Sequence, residues 1–181
     1  DGLADVNPAT DAPRLIVLQH PIGETDAKEQ RWMSQTLAAT KAHERLVMMP
    51  NGDPGSDGIR RAIHEAKVKA VTHLPRAKWL AMLAGCGAIV GNSSAGLIEA
   101  AVLKTPCVNI GPRQAGREKP RNVIDCDYGK AGIEAAIDRA LKMNRRKLNH
   151  PYGYGNTGER IAHLLATIDL SIVTIRKHNA Y

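Results

Sequence analysis

The 181-residue sequence predicts an α/β fold, a doubly wound parallel sheet sandwiched by helices. Short aliphatic and β-branched runs alternate with longer helical stretches, as expected for repeated β-α-β units. Several of these runs are almost continuously apolar, which is typical of strands that are covered on both faces. Right-handed crossovers between such units bring the carboxyl ends of all strands to one edge, where ligands bind.

The predicted elements follow one another along the chain without an internal repeat. The strands share short apolar centres and span residues 14–19, 44–49, 70–74, 87–91, 106–110 and 121–125. The helices lie between or after these strands and span residues 26–42, 56–67, 76–84, 94–103, 130–143 and 157–168. Residues 111–120 are too polar for the core and predict a loop.

The chain divides into one domain with short flanking segments. We assign residues 14–170 to the domain, residues 1–13 to an inter-domain linker, and residues 171–181 to a C-terminal tail. The opening is polar, rich in turn formers and lacks an initiator Met, so we expect that an upstream part of a larger protein is missing.

Composition and charge narrow the classes of function. No apolar run approaches the roughly 18 residues of a membrane span, which argues against a membrane protein. The three cysteines form no CxxC pair, so we expect neither disulfides nor a metal site, and we expect a cytoplasmic location. Lys and Arg outnumber Asp and Glu by 17 to 7 in residues 59–150, which indicates an anionic partner or a solvated basic surface. The aromatic content of 3% argues against single-stranded nucleic acid as that partner.

Residues 91–99 follow a predicted buried strand and begin a predicted helix. Ser93 or Ser94 can cap that helix, and Gly96 allows the backbone to approach a ligand closely. Unpaired N–H groups and the helix dipole favour an anion at this end. Glu99 lies about 7 Å further along the axis and suits a pair of ribose hydroxyls. The alternative interpretation is a capped helix whose Glu99 interacts only with the dipole.

Other polar residues follow neighbouring predicted strands. Arg113 and Arg117 lie on a glycine-punctuated loop and could bind phosphate, although each alone also fits a solvated basic loop. His20 ends the first strand and could donate to a diphosphate or move a proton, unless its role is structural. Asn51 belongs to a segment of turn formers and could reach the same edge.

Two motifs in this region resemble those of a known family. The sequence reads GNSSAGLIE at residues 91–99 and PCVNIGPRQAGR at residues 106–117. At this spacing the pair resembles the GNSS-x-G-x-x-E and P-x-x-N-x-G-x-RQ-x-GR motifs of the hydrolysing UDP-N-acetylglucosamine 2-epimerases of sialic-acid biosynthesis. Supporting matches are HP at 20–21, PN-x-D at 50–53, NV at 122–123 and YG-x-G at 152–155. The resemblance covers about residues 14–170 and concerns the carboxyl-terminal half of the family's chain.

The resemblance implies one half of a GT-B fold, in which two Rossmann-like domains face each other across a cleft. It implies UDP or UDP-N-acetylglucosamine as the ligand and no cofactor. Ser93, Ser94 and Gly96 would contact the diphosphate, and Glu99 would contact the ribose. His20 would lie at the diphosphate near the cleft and is the candidate catalytic residue. The further implied UDP contacts are Asn51, Arg113, Arg117 and, near the uracil in the loop before Trp79, Leu74, Pro75 and Arg76.

The implied reaction eliminates UDP to leave a glycal-type intermediate, which then adds water and releases N-acetylmannosamine. In the family the proton-moving carboxylates come mainly from the amino-terminal domain, so we expect this chain alone to bind UDP without activity. The sequence agrees, because Glu99 is the only acid between Glu65 and Glu118. It also contains no HExxH, GxSxG or P-loop motif. We expect the full-length protein, with its amino-terminal Rossmann-like domain, to be a homo-oligomer.

Two departures from the family pattern are visible. Tyr154 stands where the family commonly has Asp, and Gly-Asp-Pro at residues 52–54 replaces a less turn-prone stretch. Alternative interpretations are a related UDP-diacetamido-sugar 2-epimerase, the nucleotide-binding domain of a GT-B glycosyltransferase, and a basic nucleic-acid-binding module. The RQ-x-GR loop favours an epimerase over a transferase. Glu99 and the scarcity of aromatic residues count against nucleic acid.

Overall fold

The computed structural model describes residues 3, 5–153 and 155–169. The strands of this part are β1 (Leu15–Leu18), β2 (Arg45–Met48), β3 (Ala70–Val71), β4 (Ala88–Gly91), β5 (Cys107–Ile110) and β6 (Val123–Cys126). They form a sheet in the order β3-β2-β1-β4-β5-β6, in which every neighbouring pair is parallel. This is the strand order of a Rossmann fold, so the predicted Rossmann-like parallel sheet is confirmed. The order reverses between β1 and β4, which opens a crevice at their carboxyl ends.

Helices cover both faces of the sheet. Those of the described residues are α1 (Asp26–Ala39), α2 (Ser56–Glu65), α3 (Arg76–Gly85), α4 (Glu99–Val102), α5 (Lys130–Leu141) and α6 (Thr157–Thr167). The face that buries Leu15 and Val17 of β1 packs against α1, α2 and α5. The opposite face, which buries Ile16, packs against α3 and α4. Because successive strand residues point to opposite faces, burial on both sides requires the continuous apolar runs seen in the sequence.

The last helix and the flanking segments differ from this layered core. The helix predicted at residues 157–168 is present as α6, but its side chains are exposed, including those of Ile161, Leu164 and Leu165. Tyr154 and the predicted tail at residues 171–181 lie outside the described residues, as do residues 1, 2 and 4 of the predicted linker.

The continuous helix predicted at residues 94–103 is wrong. The chain forms a 3-10 turn at Ser94–Gly96, and α4 begins only at Glu99. Asn122 Nδ2 donates a hydrogen bond to the carbonyl oxygen of Gly96 at 3.0 Å, so this oxygen is already used. Ile98, between the two pieces, has φ −101° and ψ −72°, away from the usual helical values. With only four residues, α4 offers an anion little of the macrodipole expected from a longer helix.

The other predicted elements agree with the structure to within three residues at each end. The difference that matters most for the site is the length of β3, which is shorter than predicted. This edge strand pairs with β2 over only two residues, Ala70 and Val71. Residues 72–75 therefore form a loop at the carboxyl edge of the sheet instead of continuing the strand. The loop predicted at residues 111–120 contains a 3-10 turn at Pro112–Gln114.

Arg145 ties together the chain segments at the opposite, amino-terminal edge of the sheet. Its guanidinium donates to the carbonyl oxygens of Ala84 at 2.8 Å and Cys86 at 3.1 Å, beside the end of α3. It also donates to the carbonyl oxygens of Leu103 and Lys104, which follow α4. The hydroxyl of Thr105 accepts a further bond at 2.7 Å. One half-buried side chain thus donates hydrogen bonds to the backbone carbonyl groups at two helix ends.

We expect Arg145→Met to lower the free energy of unfolding by about 2–4 kcal/mol, because the variant leaves these acceptors without their donor. Urea denaturation followed by circular dichroism measures the change. Arg146→Met is the matched control, since it removes the same charge from an exposed neighbour and should change stability by less than about 0.5 kcal/mol. Equal effects of the two substitutions would contradict the assignment.

Candidate functional site

Asn92 organises the crevice between β1 and β4. Its side chain is buried, its Oδ1 accepts the backbone N–H of His20 at 2.6 Å, and its Nδ2 donates to the backbone carbonyl of His20 at 2.8 Å. Asn92 directly follows β4 and His20 lies just beyond β1, so the amide continues the pairing of these strands past their ends. Asn92 is not among the site residues predicted from the sequence, although it stands directly after a buried strand within the GNSS motif.

Gly91 makes the sharp exit from β4 possible. Its φ is +142°, and a Cβ at this position would lie 2.0 Å from the carbonyl oxygen of Leu18. Ser93 follows in an extended conformation and accepts the N–H of Ala95 through its Oγ at 3.4 Å, so it caps the 3-10 turn. The first N–H groups of such a turn have no acceptor within it. Gly96 is close-packed, since a Cβ there would lie 2.4 Å from Cys107 Sγ.

His20 is held as a neutral imidazole at the crevice. Its Nδ1 accepts the backbone N–H of Asn51 at 3.1 Å, which leaves the ring proton on Nε2. Burial lowers the pKa of His20 below its usual 6.5, and the nearby charge of Arg113 lowers it further, while Asp53 opposes them. His20 therefore presents a donor at neutral pH. The structure brings His20 and Asn51 together as the sequence predicted for this edge.

The two arginines of the loop after β5 have different surroundings. Arg113 donates to the backbone carbonyl of Asn92 at 3.3 Å, and the adjacent, buried Gln114 donates to the same oxygen at 2.7 Å. Arg113 therefore lies at the crevice beside His20. Arg117 is exposed, makes no side-chain hydrogen bond or ion pair with other described residues, and influences the pKa of Tyr152. Sequence reasoning treated the two arginines alike and overlooked Gln114.

Glu99 connects the start of α4 with the start of α3. Its Oε1 pairs with a guanidinium nitrogen of Arg76 at 2.7 Å, and its Oε2 accepts the indole N–H of Trp79 at 2.8 Å. The Glu99 side chain is 20% exposed, whereas that of Arg76 is 65% exposed. The carboxylate is thus engaged by side chains of α3, which the dipole interpretation did not anticipate.

A cavity of about 430 Å³ opens beside this carboxylate. Its apolar lining includes Leu18, Met48, Met49, Leu74 and Trp79, and its polar lining includes His20, Asn51 and Arg76. Cavities of this size and composition are typical of sites for small organic ligands. Four of the predicted contacts, His20, Asn51, Leu74 and Arg76, therefore line one cavity, while Pro75 precedes the first residue of α3. The Oδ1 atom of Asn51 is buried without a hydrogen-bond partner among the described residues.

Other kinds of chemistry find little support in the described residues. No group of three or more His, Cys, Asp and Glu side chains in residues 3, 5–153 and 155–169 could hold a metal ion. Burial raises the pKa of the Cys86 thiol to about 12 and that of Cys126 to about 11, so neither is a thiolate at neutral pH. Within the described part of the chain, no helix is both long and apolar enough to cross a membrane.

Comparisons with known proteins agree with these features. The family model described as UDP-N-acetylglucosamine 2-epimerase matches residues 3–166. The chain is 36% identical over 172 residues to a UDP-N,N'-diacetylbacillosamine 2-epimerase (hydrolyzing) of Legionella pneumophila, covering 92% of this chain and 46% of that protein. It is 28% identical over 147 residues to a UDP-N-acetylglucosamine 2-epimerase of Neisseria meningitidis, covering 78% of this chain and 39% of the relative.

Solved structures share the fold at low sequence identity. A Methanocaldococcus jannaschii UDP-GlcNAc 2-epimerase in complex with UDP-GlcNAc and UDP superposes with a TM-score of 0.63 at 17% identity, over 91% of this chain and 47% of that one. S. aureus MnaA with UDP superposes with a TM-score of 0.62 at 13% identity, over 90% and 48%. The chain spans about half the length, or less, of the curated relatives described above. The sequence motifs and the family match agree: the chain belongs to the UDP-N-acetylglucosamine 2-epimerase family.

Proposed function

We propose that the chain is the UDP-binding, carboxyl-terminal half of a hydrolysing 2-epimerase that acts on a UDP-linked 2-acetamido sugar. The observation that carries this proposal is the cavity at the carboxyl edge of the sheet, which is lined by His20 and by the two partners of Glu99, Arg76 and Trp79. The charge of Arg113 lies near His20. Apolar walls, a carboxylate and cationic or neutral donors are the three kinds of group that a nucleoside diphosphate needs.

The uracil occupies the apolar cavity in this proposal. Its flat ring suits this space, whose apolar lining includes Met48, Leu74 and Trp79. Uracil carries one N–H donor, and Asn51, whose Oδ1 acceptor has no hydrogen-bond partner among the described residues, belongs to the cavity lining. Donor and acceptor thus complement each other, which matters because an unpaired buried polar atom costs about 1–3 kcal/mol.

The ribose and the diphosphate follow along the edge of the sheet. Glu99 accepts the two ribose hydroxyls, since a carboxylate offers about four acceptor positions. The diphosphate contacts the turn that contains Ser93, Ser94 and Gly96. Because that turn replaces the long helix first predicted, we assign more of the anion binding to the guanidinium of Arg113 and the Nε2–H of His20.

This arrangement would serve the elimination step of the whole protein. When the bond between the sugar C1 and the UDP oxygen breaks, negative charge develops on the leaving diphosphate. Donors already in place at that charge stabilise the transition state without having to reorganise, and Arg113 and His20 are such donors. Removal of the carbon-bound proton and addition of water then depend on groups outside this chain.

Two sugars are candidates for the substrate. UDP-N-acetylglucosamine, which would give N-acetylmannosamine, follows from the motifs and from the Neisseria relative at 28% identity. The higher identity of 36% to the Legionella relative supports UDP-N,N'-diacetylbacillosamine. Both share the UDP group and the 2-acetamido substituent, so the proposed role of this chain is the same for each. Turnover of the two sugars by a chain completed with its amino-terminal half decides between them.

We expect the purified 181-residue chain to bind UDP and to show no epimerase activity, because it offers a nucleotide site without the partner's proton-moving acids. Isothermal titration calorimetry measures binding, and an assay for released UDP and free 2-epimerised sugar measures turnover. Turnover by the chain alone would contradict the proposal that the proton-moving acids lie outside this chain. Failure to bind any uridine nucleotide would overturn the proposed function itself.

Glu99→Ala should weaken UDP binding by about 1.5–3 kcal/mol, the scale of hydrogen bonds to a charged group. It should not weaken binding of inorganic pyrophosphate, which has no ribose. Calorimetry with both ligands separates these effects, and Glu134→Ala, on an exposed face of α5, is the control. An equal loss for both ligands would assign Glu99 to a general electrostatic or structural role.

His20 gives an expectation for pH. Its pKa lies below 6.5 in the free chain, and a neighbouring diphosphate favours the imidazolium, so binding of UDP-N-acetylglucosamine should raise this pKa. Affinity should therefore increase as pH falls through the bound-state pKa and level off below the free-state pKa. Histidine ring NMR signals report the shift, with exposed His64 as the internal control. An unmoved His20 pKa on saturation would place the diphosphate elsewhere.

A further inference from the structure

The two oxygens of the Glu99 carboxylate have donors of different mobility. Trp79 Nε1 lies 2.8 Å from Oε2, and Arg76 lies 2.7 Å from Oε1. The indole ring is half-buried and packs against the core cluster that includes Met48 and Leu83. The Arg76 side chain is 65% exposed and stands at the first residue of α3. One donor is therefore fixed by packing and the other is free to leave.

The energetics of the two contacts differ accordingly. An indole has a single N–H, so Trp79 can orient only one carboxylate oxygen, and its packed ring cannot turn away without disturbing the core. Exposed ion pairs such as that of Arg76 contribute little to stability, because water and salt compete with them. A ligand donor can replace Arg76 at small cost, whereas replacing Trp79 would leave a partly buried N–H unpaired.

We infer that Trp79 is a positioning residue for the ribose-binding carboxylate of Glu99 and that Arg76 is the displaceable occupant of that carboxylate. Arg76 leaves Oε1 of Glu99 when the vicinal diol of a nucleoside arrives. This inference rests on the proposed function, because it assumes that Glu99 binds the ribose hydroxyls. The bond from Trp79 holds the carboxylate in the orientation that both hydroxyls need. The Arg76 guanidinium neutralises the carboxylate while the site is empty.

Substitutions of the two residues that contact this carboxylate should have opposite effects on diol binding. Loss of the Trp79 donor frees the carboxylate to rotate and should weaken diol binding. Loss of the Arg76 charge removes a competitor and should strengthen diol binding. A merely structural pair would weaken binding of every ligand when either residue is changed.

Uridine and 2',3'-dideoxyuridine are the probes, since they differ only in the diol and carry no phosphate. With the full 181-residue chain, Trp79→Phe should raise the Kd for uridine about 5- to 10-fold more than the Kd for dideoxyuridine, because Trp79 also lines the proposed uracil cavity and any change there affects both probes alike. In a Glu99→Ala background Trp79→Phe should not change the preference for uridine over dideoxyuridine any further. Trp32→Phe is the matched control, because Trp32 stacks on Tyr128, away from Glu99. Binding is followed by NMR titration.

Arg76→Gln should lower the Kd for uridine about two- to five-fold, the scale of an exposed ion pair. Arg61→Gln, which breaks a comparably exposed pair with Asp26 at 3.1 Å, is its control and should leave the Kd unchanged. Weaker uridine binding by Arg76→Gln would show a direct contact and overturn the role of Arg76 as a displaceable occupant.

A second measurement is made on the wild-type chain and needs a variant only to assign its signals. The chain has two tryptophans, so Trp32→Phe assigns the Trp79 indole N–H signal. Its protection against hydrogen exchange should persist at saturating uridine, and loss of protection would overturn the positioning role. An unchanged preference for uridine in Trp79→Phe would overturn it as well, while the proposed function stands. Equal wild-type affinity for both nucleosides would instead overturn the ribose-binding role of Glu99, and the inference with it.

Discussion

The geometry of the candidate site depends on the pair of hydrogen bonds between the Asn92 side chain and the backbone of His20. Adjacent parallel strands diverge once they leave a sheet, and these bonds keep the chains after β1 and β4 together for one more residue. The backbone carbonyl of Asn92 also accepts bonds from Arg113 and Gln114, which follow β5. Asn92 is fully buried, so each lost bond would leave an unpaired polar group at a cost of about 1–3 kcal/mol. Three loops are thereby fixed relative to one another before any ligand arrives.

The other side of the site is built differently. Glu99 lies in a helix of four residues, and its partners Arg76 and Trp79 come from the start of α3 rather than from the strand ends. The Asn92 bonds do not reach this carboxylate. The proposed diphosphate contacts thus stand on a rigid part of the fold, whereas the proposed ribose contact can exchange one partner. Such a division suits a nucleotide that must be held firmly at its charged end and yet be released.

Sequence reasoning predicted what depends on local pattern and missed what depends on distant partners. The order of strands and helices followed from apolar runs, because a strand buried on both faces must be apolar throughout. The break in the helix at residues 94–103 depends on Asn122, which takes the carbonyl of Gly96 from 26 residues away. The contact of Trp79 with Glu99 and the separate surroundings of Arg113 and Arg117 likewise depend on tertiary packing. One cavity is lined by four predicted residues, His20, Asn51, Leu74 and Arg76, because parallel strands end at one edge of the sheet. The motif resemblance is what pointed to these particular residues.

Two carboxylates near the carboxyl edge, Glu29 and Asp125, already have partners, which bears on what this chain can do. Glu29 is buried and accepts the N–H groups of Ile22 and Glu24, so it supports the loop after His20. Asp125 accepts bonds from Asn109 and Lys119, which lower its pKa against the opposing effect of burial. A general base that removes a carbon-bound proton needs a carboxylate that can reach the substrate and whose pKa lies near the working pH. The pKa of Asp125, which the bonds from Asn109 and Lys119 lower, shifts away from that range. The surroundings of these two side chains therefore support the proposed role of this chain in binding the nucleotide, with the proton transfers at the sugar left to groups elsewhere in the whole protein.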